Sequence, residues 1–253
     1  MVCYTRHGAL LCLALAWEAA PASAQPKPEV VVAAAANLTQ ALKGIGPAFE
    51  AETGIHPVFS AASTAQLAQQ IEYGAPFDVF LAADTEHVDQ LVRKNLIDPA
   101  SRAVYARGVI ALWTPQGDTQ GVRRLEDLVS PEIRVIAIAK PELAPYGAAA
   151  VTALKNAGVW SRVQSKVVYA ENINMARQYG VLGNADAVLT AYALVMNSGG
   201  MVMRVDPGLH PPIDQALGVL SRAEHPAAAR KFVEYLMRGK GRDALARAGY
   251  LVR

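Results

Sequence analysis

The chain has 253 residues, of which 52% are hydrophobic and 18% are charged, and its formal net charge is only +2. This length and composition allow one large hydrophobic core or two modest ones, so they predict a globular protein. The small net charge excludes the strong field by which proteins attract nucleic acid or anionic membranes, so any bound anion must be held by local groups.

The N-terminus has the pattern of an export signal. Arg6 precedes an apolar run from Ala9 to Trp17, and the small-residue site Ala22-Ser23-Ala24 follows. We predict a signal peptide over residues 1–24, cleaved after Ala24. The alternative is a membrane anchor, but the apolar run is far shorter than the ~20 residues that a spanning helix needs. A periplasmic location is therefore expected.

Both cysteines of the chain, Cys3 and Cys12, lie within this segment. The mature chain would contain none, so neither disulfides nor thiol chemistry are expected. Cys12 stands in Leu-Cys-Leu, without the small residues that precede a lipidated cysteine, which favours a soluble product over a lipoprotein.

From Pro28 onward, short runs rich in Val, Ile and Ala alternate with longer amphipathic stretches, which is typical of an α/β fold with mainly parallel sheet. The predicted strands are Val30 to Ala35, Val58 to Ser60, Val79 to Ala83, Val109 to Thr114, Val135 to Ala139, Val167 to Tyr169 and Ala187 to Leu189. The predicted helices include Leu38 to Thr53, Ala65 to Tyr73, Thr85 to Lys94, Gly147 to Ala157 and Pro226 to Met237. No long linker is present, so two domains would require the chain to cross between them, and residues 107–108 and 210–213 fit such crossings.

Four segments share one design, in which a strand ends, a short polar or proline-containing turn follows, and a helix begins. They are Ala36-Asn37-Leu38-Thr39, Ser60-Ala61-Ala62-Ser63-Thr64, Ala144-Pro145-Tyr146-Gly147 and Glu171-Asn172-Ile173-Asn174. A helix start leaves backbone N–H groups unsatisfied and carries the positive end of the helix dipole, so it attracts anions without any formal charge. Four helix starts aimed at one point would form a neutral anion cage.

The energetics of such a cage are sufficient for tight binding. A hydrogen bond to a charged group contributes about 1.5–3 kcal/mol, and micromolar affinity needs about 8 kcal/mol. A fully ionised dianion suits these donors better than phosphate, which is partly protonated at neutral pH and would need an acceptor. The alternative for each residue is an ordinary helix cap or core aromatic, and sequence spacing alone does not show that the four turns converge.

Several segments resemble one family, the periplasmic molybdate-binding proteins of ABC importers, with similarity from about Val30 to Tyr250. The segments that carry the resemblance are Ala34 to Leu42, Gln69 to Phe80, Ala82-Ala83-Asp84, Glu171-Asn172-Ile173 and His210-Pro211-Pro212-Ile213. The run from Ile71 to Asp84 is the most specific of them.

The resemblance implies a two-lobed clamshell of the periplasmic-binding-protein type, in which each lobe has a mainly parallel sheet flanked by helices. Residues 25–107 would form the first part of lobe 1, residues 108–212 lobe 2, and residues 213–253 the C-terminal part of lobe 1. The lobes of this family close on a dehydrated oxyanion, which is held by hydroxyl groups and backbone amides.

Carried over by position, the oxyanion contacts would come from Ala36, Asn37, Ser63, Tyr146 and, through its backbone N–H, Ile173. The chain departs from the family at some of these positions. Ala36 stands where one branch has a hydroxyl residue, and many members have serine at the position of Asn37. Many members also supply a tyrosine from the segment that matches Leu189 to Tyr192, where Ala191 stands at the matching position, so either Tyr146 or Tyr192 would supply that hydroxyl.

The resemblance predicts a transport receptor, not an enzyme, that delivers molybdate or tungstate to an ABC permease in the inner membrane. No cofactor is expected, and molybdenum or tungsten would be present only within the bound oxyanion. A monomer that does not bind nucleic acid is expected.

Two alternatives remain. The same fold would bind another oxyanion, a small organic anion or ferric iron. A periplasmic serine hydrolase would use Ser63 as nucleophile and one of His56, His87, His210 or His225 as base. No Gly-x-Ser-x-Gly motif supports the hydrolase, and no histidine or carboxylate cluster has the spacing of metal ligands.

Overall fold

The computed structural model describes residues 1–2, 28–115 and 121–252. Apart from residues 1–2, the predicted signal peptide lies outside the described residues, as do Cys3 and Cys12. Within the described part of the chain, no helix combines the length and the apolar character needed to cross a bilayer.

The described strands are, in chain order, β1 (Glu29–Ala35), β2 (His56–Ala62), β3 (Val79–Leu81), β4 (Ala103–Gly108), β5 (Ile110–Thr114), β6 (Ile136–Ala139), β7 (Val167–Ala170), β8 (Ala187–Ala191), β9 (Met201–Arg204) and β10 (Ile213–Val219). The described α-helices are α1 (Thr39–Thr53), α2 (Thr64–Glu72), α3 (Glu86–Arg93), α4 (Pro145–Asn156), α5 (Trp160–Val163), α6 (Ile173–Val181), α7 (Tyr192–Val195), α8 (Pro226–Met237) and α9 (Lys240–Arg247). Short 3-10 helices add Ala36–Leu38, Pro99–Ser101, Leu125–Val129, Gln164–Lys166 and Pro207–Leu209.

The strands form two five-stranded sheets, and we call each sheet with its helices a lobe. The sheet of the first lobe has the order β2-β1-β3-β10-β4, and that of the second lobe has the order β7-β6-β8-β5-β9. The chain leaves the first sheet after Gly108 and returns to it at Ile213. The structure therefore has the two sheets and flanking helices expected of a two-lobed α/β protein.

Each sheet contains one strand that runs against the other four. In the first sheet this is β10, which pairs antiparallel with β3 and β4, and in the second it is β5, which pairs antiparallel with β8 and β9. Both reversed strands come directly after the chain changes lobes. A strand that enters a lobe from the cleft must run away from the cleft, whereas the other strands run toward it. The sheets are thus mainly parallel with one reversed strand each.

The first sheet is buried on both faces. Val32 and Ala34 of β1 pack into a cluster with Phe49 of α1, whereas Ala33 between them packs on the opposite face with Phe80. All five of these side chains are fully buried. Burial on both faces explains why β1 is a continuous apolar run without the alternation of a half-exposed strand.

The strands and helices predicted from the sequence are all present, with small shifts in their ends. The prediction missed β4, β9, β10 and the short or C-terminal helices α5, α7 and α9. In β10 the polar pair Asp214-Gln215 interrupts the apolar pattern, although Gln215 is completely buried. This strand is recognisable only from its pairing with β3 and β4.

The core of the first lobe should depend strongly on Phe49. Its ring is fully buried and makes edge contacts with Phe232, at 5.1 Å between centroids, and with Tyr235, at 5.3 Å. We expect Phe49→Ala to lower the free energy of unfolding by about 3–5 kcal/mol, because it removes these contacts and leaves a cavity. Urea denaturation of the mature chain measures this change.

The matched control is Tyr73→Ala, because the Tyr73 side chain is 82% exposed. Its free energy of unfolding should change by no more than about 0.5 kcal/mol. Similar losses in the two variants would contradict the assignment of Phe49 to the core.

Candidate functional site

The four turns singled out in the sequence lie at the carboxyl ends of parallel strands. β1 leads into the 3-10 helix Ala36–Leu38 and β2 into α2, while β6 and β7 of the second lobe lead into α4 and α6. Carboxyl ends of parallel strands meet at one edge of a sheet, and here both edges face the cleft between the lobes. This is the usual place for a ligand in open α/β sheets.

The turns enclose a small cavity of about 10 Å³, room for about one water molecule, so the cleft must widen to admit an ion. It is lined by Ala35, Ala36, Asn37, Ser63, Thr64, Ala83, Ala144, Pro145, Tyr146 and Ile173. All five residues that the sequence suggested as oxyanion contacts therefore lie around one space. The volume is below the roughly 300–1,000 Å³ of sites for drug-sized organic ligands, and no lining residue carries a charged side chain.

The first lobe contributes backbone N–H groups and hydroxyls. Ala36 begins a 3-10 helix and Thr64 begins α2, so their N–H groups have no acceptor within the helix. The Thr64 hydroxyl accepts a hydrogen bond from the N–H of Ala83 at 3.1 Å. Because its oxygen is the acceptor in that bond, its hydrogen is available to another group.

Ser63 donates its hydroxyl hydrogen to a neighbour. Its Oγ lies 2.7 Å from Oε1 of Gln66, and this oxygen also accepts from the Ser63 N–H at 3.3 Å. The amide nitrogen of Gln66 in turn lies 3.5 Å from Oε2 of Glu171 in the second lobe. A serine hydroxyl has one hydrogen, so Ser63 would have to turn away from Gln66 to donate to an anion.

The second lobe contributes Tyr146 and Ile173. α4 begins at Pro145, which has no N–H, and the next residue, Tyr146, lines the cavity. Ile173 is the first residue of α6, and the side chain of Asn172 caps this helix by accepting from the N–H of Met175 at 2.9 Å. The cap uses the third N–H of the helix, so the N–H of Ile173 remains unsatisfied by it.

A cluster of uncharged polar side chains lies behind the cavity. Nδ2 of Asn37 donates to Oε1 of Gln215 at 2.8 Å and to the hydroxyl of Tyr250 at 3.0 Å. The Tyr105 hydroxyl lies 2.8 Å from the same Gln215 oxygen, and Nε2 of Gln215 donates to the Tyr146 hydroxyl at 3.0 Å. The last bond joins the two lobes, since Gln215 belongs to β10 and Tyr146 to α4.

Burial keeps the tyrosines of this cluster protonated. Desolvation raises the pKa of Tyr146 and of Tyr105 well above the ordinary tyrosine value, and the neighbouring Tyr250 adds to both shifts. Desolvation likewise raises the pKa of Tyr250. The Tyr146 hydroxyl is therefore a neutral hydrogen-bond donor at physiological pH.

The side-chain oxygen of Asn37, Oδ1, is buried and has no hydrogen-bond partner. A half-turn of this amide, together with a half-turn of the Gln215 amide, would keep the two residues hydrogen-bonded and would exchange Nδ2 and Oδ1. It would cost one hydrogen bond with Tyr250, whose hydroxyl donates to the Asn37 carbonyl at 2.7 Å. Asn37 would then offer its free N–H group in place of the orphaned oxygen. The residue thus has a buried polar atom whose partner must come from outside the cluster.

Tyr192 does not line the cavity. Its ring packs against the guanidinium of Arg204, whose carbon lies 4.3 Å from the ring centroid. Of the two tyrosines considered from the sequence, the structure therefore places Tyr146 at the cavity.

The serine–histidine pair of a hydrolase is not formed. The Ser63 hydroxyl donates to Gln66, and the four histidines considered as bases contact other groups through Nδ1: His56 with Glu50, His87 with Asp84, His210 with the Pro211 carbonyl and His225 with Asp78. Among the described residues, no group of three His, Cys, Asp or Glu is placed to hold a metal ion.

Sequence reasoning missed two sets of residues. The other five residues that line the cavity lay within the segments already quoted, but nothing distinguished them as ligand contacts: Ala35, Thr64, Ala83, Ala144 and Pro145. Tyr105 and Gln215 lie far apart in the chain and were not considered, because a buried polar residue in a strand gives no local signal of its partners.

The protonated state of the buried tyrosines gives a prediction for alkaline pH. Because the pKa values of Tyr105, Tyr146 and Tyr250 are raised in the folded protein, folding stability should fall as pH rises above about 10, where these phenols ionise in the unfolded chain. We expect part of the tyrosinate absorbance near 295 nm to appear only together with the loss of circular dichroism.

The control for this titration is Tyr146→Phe, which should remove one phenol from the late-ionising group. If the variant loses absorbance from the fraction that ionises before unfolding, Tyr146 is not the buried donor described above.

The chain is similar in sequence and in structure to several molybdate-binding proteins. The chain is 35% identical over 229 residues to the molybdate-binding protein ModA of Azotobacter vinelandii, covering 88% of this chain and 89% of that one. It is 32% identical over 224 residues to ModA of Rhodobacter capsulatus, covering 88% of each. The solved structure of the Azotobacter vinelandii periplasmic molybdate-binding protein superposes with a TM-score of 0.85 at 27% identity, covering 88% of this chain and 99% of that one.

The family model of bacterial extracellular solute-binding proteins matches residues 30–251. This match spans nearly all of the described chain and includes every residue that lines the cavity. The two-lobed fold, the small cavity between the lobes and this match together show that the chain belongs to the bacterial extracellular solute-binding protein family.

Proposed function

We propose that this protein captures molybdate or tungstate in the periplasm and delivers it to an ABC importer. The observation that carries the proposal is the small interlobe cavity, which is lined by hydroxyl and backbone N–H donors and by no charged side chain. The names of the two ModA relatives support the choice of oxyanion.

The donors suit a small dianion that carries no proton. The cavity offers N–H groups at the starts of the 3-10 helix, α2 and α6, the hydroxyls of Thr64 and Tyr146 and, once it turns away from Gln66, the hydroxyl of Ser63. If each hydrogen bond to the ion contributes about 1.5–3 kcal/mol, four or five of them exceed the roughly 8 kcal/mol of micromolar binding. The surplus offsets the desolvation of the ion and the closing of the lobes.

The alternatives within this fold require groups that the cavity lacks. Ferric iron needs several carboxylates or tyrosinates, and the lining contains no carboxylate and one tyrosine, whose pKa is raised by burial. An organic acid is usually held by an arginine fork, and none lines the cavity. Monohydrogen phosphate would need a carboxylate to accept its proton.

The closed lobes account for retention of the ion. The N–H of Ala65 in α2 donates to the carbonyl of Leu143 in the second lobe at 3.2 Å. The Gln66–Glu171 contact and the Gln215–Tyr146 bond add two further links across the cleft. We propose that binding closes the lobes and that this closed form docks on the permease.

The same proposal includes a signal peptide, the bounds of the two lobes and a monomeric protein. Residues 1–24 act as a signal peptide, residues 25–107 and 213–253 form lobe 1, and residues 108–212 form lobe 2. The protein works as a monomer, binds no nucleic acid, uses no cofactor besides its ligand and catalyses no reaction.

Isothermal titration calorimetry of the mature protein tests the ligand. Sodium molybdate and sodium tungstate should bind with one ion per chain and micromolar or tighter affinity, because a fully ionised dianion satisfies all donors. Sulfate should bind more weakly because it is smaller than the other two ions, and phosphate should bind least because it carries a proton. Flat titrations with molybdate and tungstate, or tighter binding of phosphate, would defeat the assignment.

Ser63→Ala tests the site. We expect the dissociation constant for molybdate to rise about 10- to 100-fold, because one hydrogen bond to a charged ligand is lost. The free protein should lose only about 1 kcal/mol of its free energy of unfolding, because Ser63 is the N-cap of α2. Ser165→Ala is the control, because Ser165 is exposed in the second lobe. Equal affinity of Ser63→Ala and wild type would remove Ser63 from the site.

A further inference from the structure

Gln215 is a buried polar residue that does not itself line the cavity. It lies in β10, where the register shifts between Gln215 and Ala216, and its side chain is completely buried. Burying an amide in an apolar strand is unfavourable unless both of its ends are hydrogen-bonded. Its contacts therefore indicate why an amide stands at this position.

The two ends of this amide contact the two lobes. Oε1 accepts from Nδ2 of Asn37, a cavity residue of the first lobe, at 2.8 Å. Nε2 donates to the hydroxyl of Tyr146, a cavity residue of the second lobe, at 3.0 Å. Gln215 thus contacts two residues that line the cavity from opposite lobes.

The hydrogen bonds of Gln215 leave one hydrogen of its two partners unused. A tyrosine hydroxyl has one hydrogen, and since Tyr146 accepts from Gln215, its own hydrogen is not used in that bond. If the Asn37 and Gln215 amides both turn by half a turn, Tyr146 donates to Gln215 and Nδ2 of Asn37 is free instead. An amide has one accepting end and one donating end, so in either arrangement one of the two side chains keeps a hydrogen for the ion.

The packing around these contacts of Gln215 is close. A Cβ atom on Gly108, the last residue of β4, would collide with the Tyr146 hydroxyl and lie 2.7 Å from Nε2 of Gln215. The chain crosses from the first lobe to the second directly after this residue. Glycine is therefore required here for Tyr146 to reach Gln215 when the lobes are closed.

We propose that Gln215 is a positioning residue of the ion site. Its amide takes a hydrogen from only one of the two residues Asn37 and Tyr146, so that the other keeps a hydrogen to donate to the oxyanion. The proposal rests on the proposed function, since it concerns the binding of an oxyanion in this cavity. Gly108 leaves the space in which the Tyr146 hydroxyl contacts Gln215.

Gln215→Glu tests this role, because a residue that only stabilises the fold would not make molybdate binding depend on pH. A protonated glutamic acid has one accepting oxygen and one donating hydroxyl, so it replaces the amide. An ionised glutamate only accepts, so it takes the hydrogens of both Asn37 and Tyr146 and adds a negative charge. Burial raises the pKa of such a carboxyl, so this variant should titrate between about pH 6 and pH 9, whereas the wild-type amide does not titrate.

The measurement is the dissociation constant of molybdate by calorimetry at several pH values, divided by the wild-type value at each pH. For Gln215→Glu this ratio should be near one at the acidic end and rise about 10-fold or more toward alkaline pH. Methionine has neither an accepting oxygen nor a donating N–H. For Gln215→Met the ratio of dissociation constants should therefore exceed one by a factor that does not change with pH. A flat ratio for Gln215→Glu, or wild-type affinity in Gln215→Met, would overturn the proposal.

A crystal structure of Gln215→Met separates this proposal from the proposed function, because it needs no ligand. The Tyr146 hydroxyl should move by about 1 Å or more from its wild-type position, and an unmoved hydroxyl would contradict the positioning role. Gly108→Ala should weaken molybdate binding as Gln215→Met does, while Gly44→Ala should not, because a Cβ on Gly44 meets nothing within 4 Å. Wild-type protein that binds no molybdate would defeat the proposed function, whereas the position of the Tyr146 hydroxyl in Gln215→Met tests the positioning role by itself.

Discussion

An anion can be held away from water by uncharged groups only if enough hydrogen-bond donors replace its hydration. The architecture of this protein follows from that constraint. Helix starts supply N–H groups that the helices themselves cannot satisfy, and parallel strands deliver several helix starts to one edge of each sheet. Two such edges facing each other across a cleft surround a small ion completely, which a single lobe would not do.

The same constraint links binding to closure. Donors from the first lobe and from the second lobe reach the cavity separately, so the full set exists only when the lobes are together. The contacts that hold them together include the backbone bond from Ala65 to Leu143 and the bond from Gln215 to Tyr146. Both lie beside residues that line the cavity. An ion that completes the donor set therefore favours the same arrangement of the lobes that these contacts favour, which is the basis of a population shift.

Much of this arrangement could be predicted from the sequence. Runs such as Val30 to Ala35 followed by Asn37 predicted a buried strand and a helix start, and the same local pattern placed Ser63, Tyr146 and Ile173 at turns. That these turns meet depends on strand order, which local pattern does not contain. Gln215 shows the limit most clearly, because its partners Asn37 and Tyr146 are distant in sequence and its strand lacks the apolar periodicity of β1. The resemblance of whole segments to a known family supplied the order that periodicity could not.

The central claim is that neutral donors from both lobes surround one oxyanion. A crystal structure of the mature protein with molybdate, recorded at a wavelength where molybdenum scatters anomalously, tests it most directly. The account predicts one anomalous peak in the cavity, with molybdate oxygens about 2.7–3.2 Å from the Ser63 hydroxyl, the Ile173 N–H and either Tyr146 or Asn37. A peak outside this cavity, or an ion held there by a lysine or arginine side chain, would contradict it.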